Sequence, residues 1–154
     1  MNPNPKPEGY HTATPYLIVK GAARAIDFYR RAFGASERMR LDGPAGAIMH
    51  AEIQIGDSPI MLADEFPQMN ALSPPPVGGT PVSILLYVEN VDAMFQRAVE
   101  AGATIERPVQ NQFYGDRSGT LLDPFGHRWT IATRVEDVSQ DEMKRRMAAM
   151  RPKQ

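Results

Sequence analysis

Two stretches of this chain can be laid over one another, and that duplication constrains the fold more than any other feature. Residues 14–34 read TPYLIVKGAARAIDFYRRAFG, and residues 82–102 read VSILLYVENVDAMFQRAVEAG. Each opens with a short apolar run ending in valine, Val19 or Val88, then turns and enters a segment with apolar residues at helical spacing. Ile26, Tyr29 and Phe33 line the first of these helices; Val91, Phe95 and Ala98 line the second. Gly34 and Gly102 stand where each helix must end, because glycine enters the left-handed conformation that closes a helix. Asn90 is placed to cap the second helix.

Three strands are expected after each helix. In the first copy they fall at 36–41, 47–55 and 58–64, separated by Asp42-Gly43-Pro44 and Gly56-Asp57. In the second they fall at 104–109, 119–122 and 127–133, with Asp123-Pro124-Phe125-Gly126 as the last turn. The reading is an α+β protein of two βαβββ modules, over 12–66 and 82–134. A flexible arm over 1–11 precedes them, and a Pro-rich linker over 67–81, containing LSPPPVGGTP, joins them. Ser139 and Glu142 form a capping-box signature for a C-terminal helix over 139–151, with Met143, Met147 and Met150 along one side as a packing face. A chain of 154 residues fits this as one domain.

Composition removes several classes of function. Seventeen basic residues against 18 acidic ones leave a net charge of −1, without the basic face that phosphate backbones require, so no nucleic-acid partner is expected. No apolar run approaches the roughly 18–20 residues of a membrane span, and residues 1–9 have no apolar stretch of a secretory signal. Without cysteine there are no disulfides, thiolate metal sites or cysteine nucleophiles. A cytoplasmic location is the default expectation.

The segments AIDFYRRAFG (25–34), HAEIQIGDSPIMLADE (50–65) and YGDRSGTLLDPFGHRW (114–129) resemble the vicinal oxygen chelate superfamily, which holds the glyoxalases, bleomycin resistance proteins and extradiol dioxygenases. Within it they are most similar to the PhnB-like group, over roughly residues 12–134. The resemblance implies curved mixed sheets around a pocket, and a homodimer. It also implies, for the enzymes, one divalent metal held by His, Glu or Gln near the start of the first strand and in the last strand of each copy. Those positions carry over to Thr14, Met61, Ser83 and Thr130. Hydroxyls and a thioether bind divalent ions poorly beside imidazole and carboxylate. The expected site is therefore dismantled, and no metal or other cofactor is expected.

Strand alternation sorts the remaining candidates. In 47–55, Met49, Ala51, Ile53 and Ile55 are expected to face a helix, and Ile48, His50, Glu52 and Gln54 the pocket. His50 and Glu52 are the candidate acid and base; the plainer reading is a surface ion pair. Thr14, Tyr16 and Ile18, then Ser83, Leu85 and Tyr87, then Arg128 and Thr130 are expected on the pocket side. Leu17, Val19, Trp129 and Ile131 are expected in the core. The loop QFYGDR (112–117) offers Tyr114 and Arg117 at the pocket mouth; Arg117 either grips a ligand anion or braces the loop through Asp116. His127 is read as a brace for its turn. The ligand-binding set is thus Thr14, Tyr16, His50, Glu52, Ser83, Tyr87, Tyr114, Arg117, Arg128 and Thr130. The leading expectation is a protein that binds a small organic molecule without the usual metal. Two alternatives stand beside it: a divalent-metal-dependent lyase or dioxygenase-type enzyme with altered ligands, and a metal-free enzyme using His50 or Glu52 as acid or base.

Overall fold

The duplication is visible strand by strand in the computed structural model, which describes residues 2–76 and 79–150. Residues 77 and 78 of the expected linker, and Arg151 at the end of the expected C-terminal helix, lie outside the described residues. The first half runs β1 (Tyr16–Val19), α1 (Ala22–Phe33), β2 (Ser36–Asp42), β3 (Ile48–Ile55) and β4 (Ser58–Asp64). The second runs β5 (Ser83–Tyr87), α2 (Val91–Ala101), β6 (Thr104–Asn111), β7 (Asp116–Leu122) and β8 (Arg128–Arg134), and α3 (Gln140–Ala149) follows. Each half makes a four-stranded mixed sheet, in the orders β1-β4-β3-β2 and β5-β8-β7-β6. The first and last strands of each half pair in parallel, and the other pairs are antiparallel. This is the α+β architecture expected from the repeat. No helix among the described residues is long and apolar enough to cross a membrane.

The helices start and stop in related ways. Gly34 (φ 70°) ends α1, its N–H reaching back to Arg30 and Tyr29. Asn90 caps α2 by accepting from Ala93 N–H, as its side chain predicts. Gly21 begins α1 without a side-chain cap. The cap comes from elsewhere: Asp64 Oδ1, at the end of β4, accepts from both Gly21 and Ala22 N–H at 2.8 Å. Thr133, one step past the pairing of Tyr87 with Ala132 in β8, accepts from Val91 N–H in the same way. The last strand of each half therefore satisfies the first amides of its helix.

The halves join through their helices. Arg97 of α2 donates to the carbonyls of Arg31 (2.6 Å) and Arg30 (3.2 Å), and Arg31 of α1 donates to Ala101 O (3.4 Å). Each helix thus has its negative C-terminal end met by an arginine of the other. Beneath them, Trp129 of β8 packs on Tyr29 and Phe33 of α1, with ring centroids 5.3 and 4.8 Å apart. The buried Asp123 closes this junction. Its Oδ2 accepts from Tyr29 Oη (2.7 Å) and Trp129 Nε1 (2.8 Å), and its Oδ1 accepts from Phe125 and His127 N–H. The His127 ring, read from sequence as bracing its own turn, braces the other half: its Nε2 lies 2.9 Å from Ile18 O of β1.

Several boundaries and faces differ from expectation. Strands β6 and β7 run longer than 104–109 and 119–122, because the turn between them is only 112–115. Gly115 (φ 101°) makes that turn possible; a Cβ there would stand 2.3 Å from Glu136 O. Register shifts in the pairing of β2 with β3 also reverse one expected alternation. Ile48 is buried and Met49 exposed, whereas Ala51, Ile53 and Ile55 face inward as expected. The methionine side of α3 is not a buried packing face in the single chain: Met147 and Met150 are exposed. The helix is tethered instead by Arg146, which reaches Glu136, Glu142 and Phe113 O.

Replacing Asp123 by Ala strands the Tyr29 hydroxyl and the Trp129 N–H in a dry core. It is expected to cost about 3 kcal/mol or more, read by urea unfolding. Tyr29→Phe, which removes one of four donors, is expected to cost about 1–2 kcal/mol.

Candidate functional site

The face of each sheet turned away from the helices carries the chemistry. One line of paired residues crosses the first sheet as Tyr16, Met61, Glu52 and Met39. The same line crosses the second as Leu85, Thr130, Thr120 and Arg107. Cross-strand partners project on one side of a sheet, so each set of four shares a face. Met61 and Thr130 occupy matching places in the two sheets.

In the first sheet the row holds a hydrogen-bonded chain. Tyr16 Oη lies 2.8 Å from His50 Nδ1, and His50 Nε2 lies 3.2 Å from Glu52 Oε1. His50 and Glu52 point the same way because they are two apart in β3, as alternation predicts. The chain extends to a residue that sequence reasoning passed over. Tyr10, in the expected flexible arm, sets its ring under the Arg38 guanidinium, 5.0 Å from the ring centre, and turns its hydroxyl toward Glu52. That hydroxyl is closed off from water and lacks a partner of good hydrogen-bond geometry. Burial first, and then the Glu52 carboxylate, push it up to about 12, with Arg38 opposing. Glu52 sits below the usual carboxylate range, chiefly through the Tyr10 hydroxyl and then through His50. The hydroxyl dipole thus favours the ionised carboxylate although the contact falls short of a formed hydrogen bond. Tyr16 is itself raised by burial and by the Glu52 charge, which keeps it a neutral phenol. No period or turn signal marks Tyr10 in its Pro-rich surroundings.

The second sheet is quieter. Thr120 and Thr130 pair their hydroxyls at 3.1 Å. Arg128 is taken up by Glu106 (2.6 Å) and by Thr80 O (2.8 Å). Tyr87 donates to the buried Asp116 at 2.9 Å, and its phenol is raised first by that hydrogen bond. Tyr114 stands near enough to Tyr87 to act on its charge. Arg117 departs from the reading that pairs it with Asp116. It forks onto Asp92 at the start of α2, with two bonds of 2.8 Å, and does not pair with Asp116. Neighbours in a strand point to opposite faces, so Asp116 and Arg117 cannot share a site. Thr14 is half-buried and Ser83 exposed, and neither makes a side-chain hydrogen bond among those described.

The positions that the superfamily's enzymes use for a metal thus carry a thioether at Met61, a hydroxyl at Thr130 already paired with Thr120, and hydroxyls at Thr14 and Ser83. These donors do not fit a divalent ion. Among the described residues, no group of three or more His, Cys, Asp or Glu is placed to hold one elsewhere. What the faces offer is apolar area around a few oriented polar groups: Tyr16, Met39, Leu41, Leu85 and Tyr87 are all exposed there. A cleft of about 1100 Å³ opens where the β3–β4 turn meets β5, between Phe33, Ser58, Tyr87 and Arg134.

Comparison with known proteins gives these faces a context. Residues 10–131 match the model of the Glyoxalase/Bleomycin resistance protein/Dioxygenase superfamily. An uncharacterised protein of Mycobacterium bovis is 45% identical over 139 residues, covering 88% of this chain and 91% of that protein. Among solved structures, protein PA1353 of Pseudomonas aeruginosa superposes with a TM-score of 0.64 at 27% identity, over 82% of this chain and 99% of its own. A PhnB protein of Bacillus cereus, described as a putative 3-demethylubiquinone-9 3-methyltransferase, shares the fold, with a TM-score of 0.63 over 80% of this chain and 99% of its own at 18% identity.

The raised Tyr10 phenol has a signed consequence. Its folded value lies above the ordinary 10, so its contribution is intact below pH 10 and is lost as pH rises through about 12. The Tyr10→Phe protein should therefore lose less stability than the parent between these limits, measured by urea unfolding. Equal losses would show that Tyr10 titrates normally.

Proposed function

The chain belongs to the Glyoxalase/Bleomycin resistance protein/Dioxygenase superfamily, and on that premise we propose that it binds a small organic molecule without the superfamily's divalent metal, as a homodimer. The observation that carries the reading is the row across each sheet. At the two places where the superfamily's enzymes draw a ligand from the last strand, this chain puts Met61 and Thr130. A soft thioether and an uncharged hydroxyl leave a Lewis-acid mechanism no first foothold. The same rows are well made for holding an organic ligand: phenol, thioether and aliphatic surface surround a few fixed hydrogen-bonding groups.

Dimerisation supplies what one chain leaves open. The helices occupy the inner side of both sheets, so the outer faces keep Tyr16 48% and Tyr87 66% exposed. Apolar faces of this kind favour burial against a second copy, and two such faces brought together make a walled pocket. Tyr16, His50 and Glu52 from one half, with Tyr87, Tyr114 and Thr130 from the other, are the proposed lining. Arg117 is left out, since Asp92 already takes both ends of its fork.

Light scattering on the purified chain is expected to give twice the 17.1 kDa chain mass. Calorimetric titration with Zn²⁺, Ni²⁺ or Mn²⁺ is expected to show no stoichiometric uptake. One tightly held ion per chain would overturn the metal-free reading and favour the enzyme with altered ligands.

A further inference from the structure

We propose that Tyr16 presents its oxygen to the ligand as a hydrogen-bond acceptor, with its direction fixed by His50 and Glu52, so that the first sheet selects an apolar molecule carrying a hydroxyl or N–H donor. This rests on the small-molecule reading above and goes further, by naming the polarity of the group that is recognised.

The argument follows one proton at a time along the chain. Glu52 is held as a carboxylate, and a carboxylate only accepts. His50 Nε2, 3.2 Å from Glu52 Oε1, must therefore carry a hydrogen. In the neutral imidazole, which has one such hydrogen, Nδ1 keeps a bare lone pair; a doubly protonated ring would donate there instead, and the NMR measurement distinguishes the two. Tyr16 Oη, 2.8 Å from Nδ1, must then be the donor in that contact. Its single proton is spent on the imidazole. What the oxygen keeps for the open face is lone-pair density, and Tyr16 is the exposed member of the chain, whereas His50 and Glu52 are partly covered.

The neighbours leave this polarity uncontested. Arg38, whose charge acts on Glu52, is occupied by Gln54 (3.2 Å) and by the Tyr10 ring. Tyr10 lies against Arg38 of β2, whereas Tyr16 stands in β1 at the opposite edge of the sheet. Around Tyr16 the same face offers Ile18 along the strand, Met61 as its cross-strand partner, and Leu41 opposite His50. An acceptor among aliphatic and thioether groups discriminates strongly, because a ligand without a donor must leave it dry and unpaired. The matching place in the second sheet is Leu85, and the Thr120 and Thr130 hydroxyls already pair with each other. At the Tyr16 position the first half therefore presents a phenol oxygen where the second half presents the apolar Leu85, while Tyr87, whose proton goes to Asp116, stands two residues further along β5.

Two measurements on the full chain at neutral pH test this. Long-range proton–nitrogen NMR of the ¹⁵N-labelled protein should show His50 as the Nε2–H tautomer, and Tyr16→Phe should shift its Nδ1 resonance. An Nδ1–H tautomer, or a ring protonated on both nitrogens, would overturn the proposal. The second measurement titrates 2-naphthol and 2-methoxynaphthalene, in which a methyl group replaces the donor hydrogen, and Tyr16→Phe controls for the added methyl. The naphthol is expected to bind roughly tenfold more tightly, the size of one buried hydrogen bond to an oriented group. The preference should fall toward parity in Tyr16→Phe, and to a few-fold in Glu52→Gln, where the amide can either donate or accept. Equal binding of both probes to the parent, or a preference unmoved in Tyr16→Phe, would overturn the acceptor reading and leave the pocket standing. Failure of both probes to bind at millimolar concentration would overturn the pocket as well.

Discussion

The Asp123 carboxylate is the contact on which the arrangement of the two halves depends. A carboxylate removed from water is costly unless its lone pairs are filled, and here four donors fill them. Two come from the turn that Asp123 itself begins, so the turn cannot take its shape without it. The other two come from Trp129 in the same half and Tyr29 in the other. A docking of the halves that moved α1 away from Trp129 would leave buried polar atoms unpaired on both sides, so one packing is favoured over its neighbours. The reciprocal arginines, Arg97 on the end of α1 and Arg31 on the end of α2, add a second check on the same alignment at the surface.

This explains why the segment DPFGHRW is so recognisable. Asp123 is the acceptor, Phe125 and His127 supply backbone donors, the His127 ring reaches Ile18 O, and Trp129 supplies both core volume and an N–H. Composition and turn propensity explain Asp123 and Pro124 only as turn-formers. The tie to Tyr29 spans 94 positions of sequence, and no local pattern carries such information.

Elements set by local rules were legible, and those set by distant partners were not. The caps at Asn90 and Ser139 and the helix stop at Gly34 follow from side-chain chemistry within a few residues. The inward Ala51, Ile53 and Ile55, and the shared face of His50 and Glu52, follow from strand period. Alternation failed where the register shifts: Ile48 and Met49 exchange faces beside the irregular pairing of Leu41 and Asp42. Asp116 and Arg117 lie in a segment whose Gly and polar residues read as loop, so the strand geometry that sets them on opposite faces is not legible there. Asp64 as the missing cap of α1, and Tyr10 as the outer end of the Glu52 chain, belong to contacts made only after the sheet has formed.

The two halves share a scaffold and part company at four places along one row. Where the first sheet has Tyr16, Met61, Glu52 and Met39, the second has Leu85, Thr130, Thr120 and Arg107. The Thr120–Thr130 pair shares one hydrogen bond, carries no net charge and leaves one hydroxyl proton free to turn, so it forces no direction on its neighbours. The Glu52–His50 pair has no such freedom. A carboxylate at this position demands donors, His50 supplies one, and satisfying His50 in turn commits the Tyr16 proton. One acidic residue in one half therefore sets the hydrogen-bonding direction of a side chain two strands away. Polarity on such a face is a property of the whole chain of groups. A sequence comparison made position by position registers the lost metal ligands, but it does not register this direction, because direction exists only once the three side chains stand within hydrogen-bonding distance of one another.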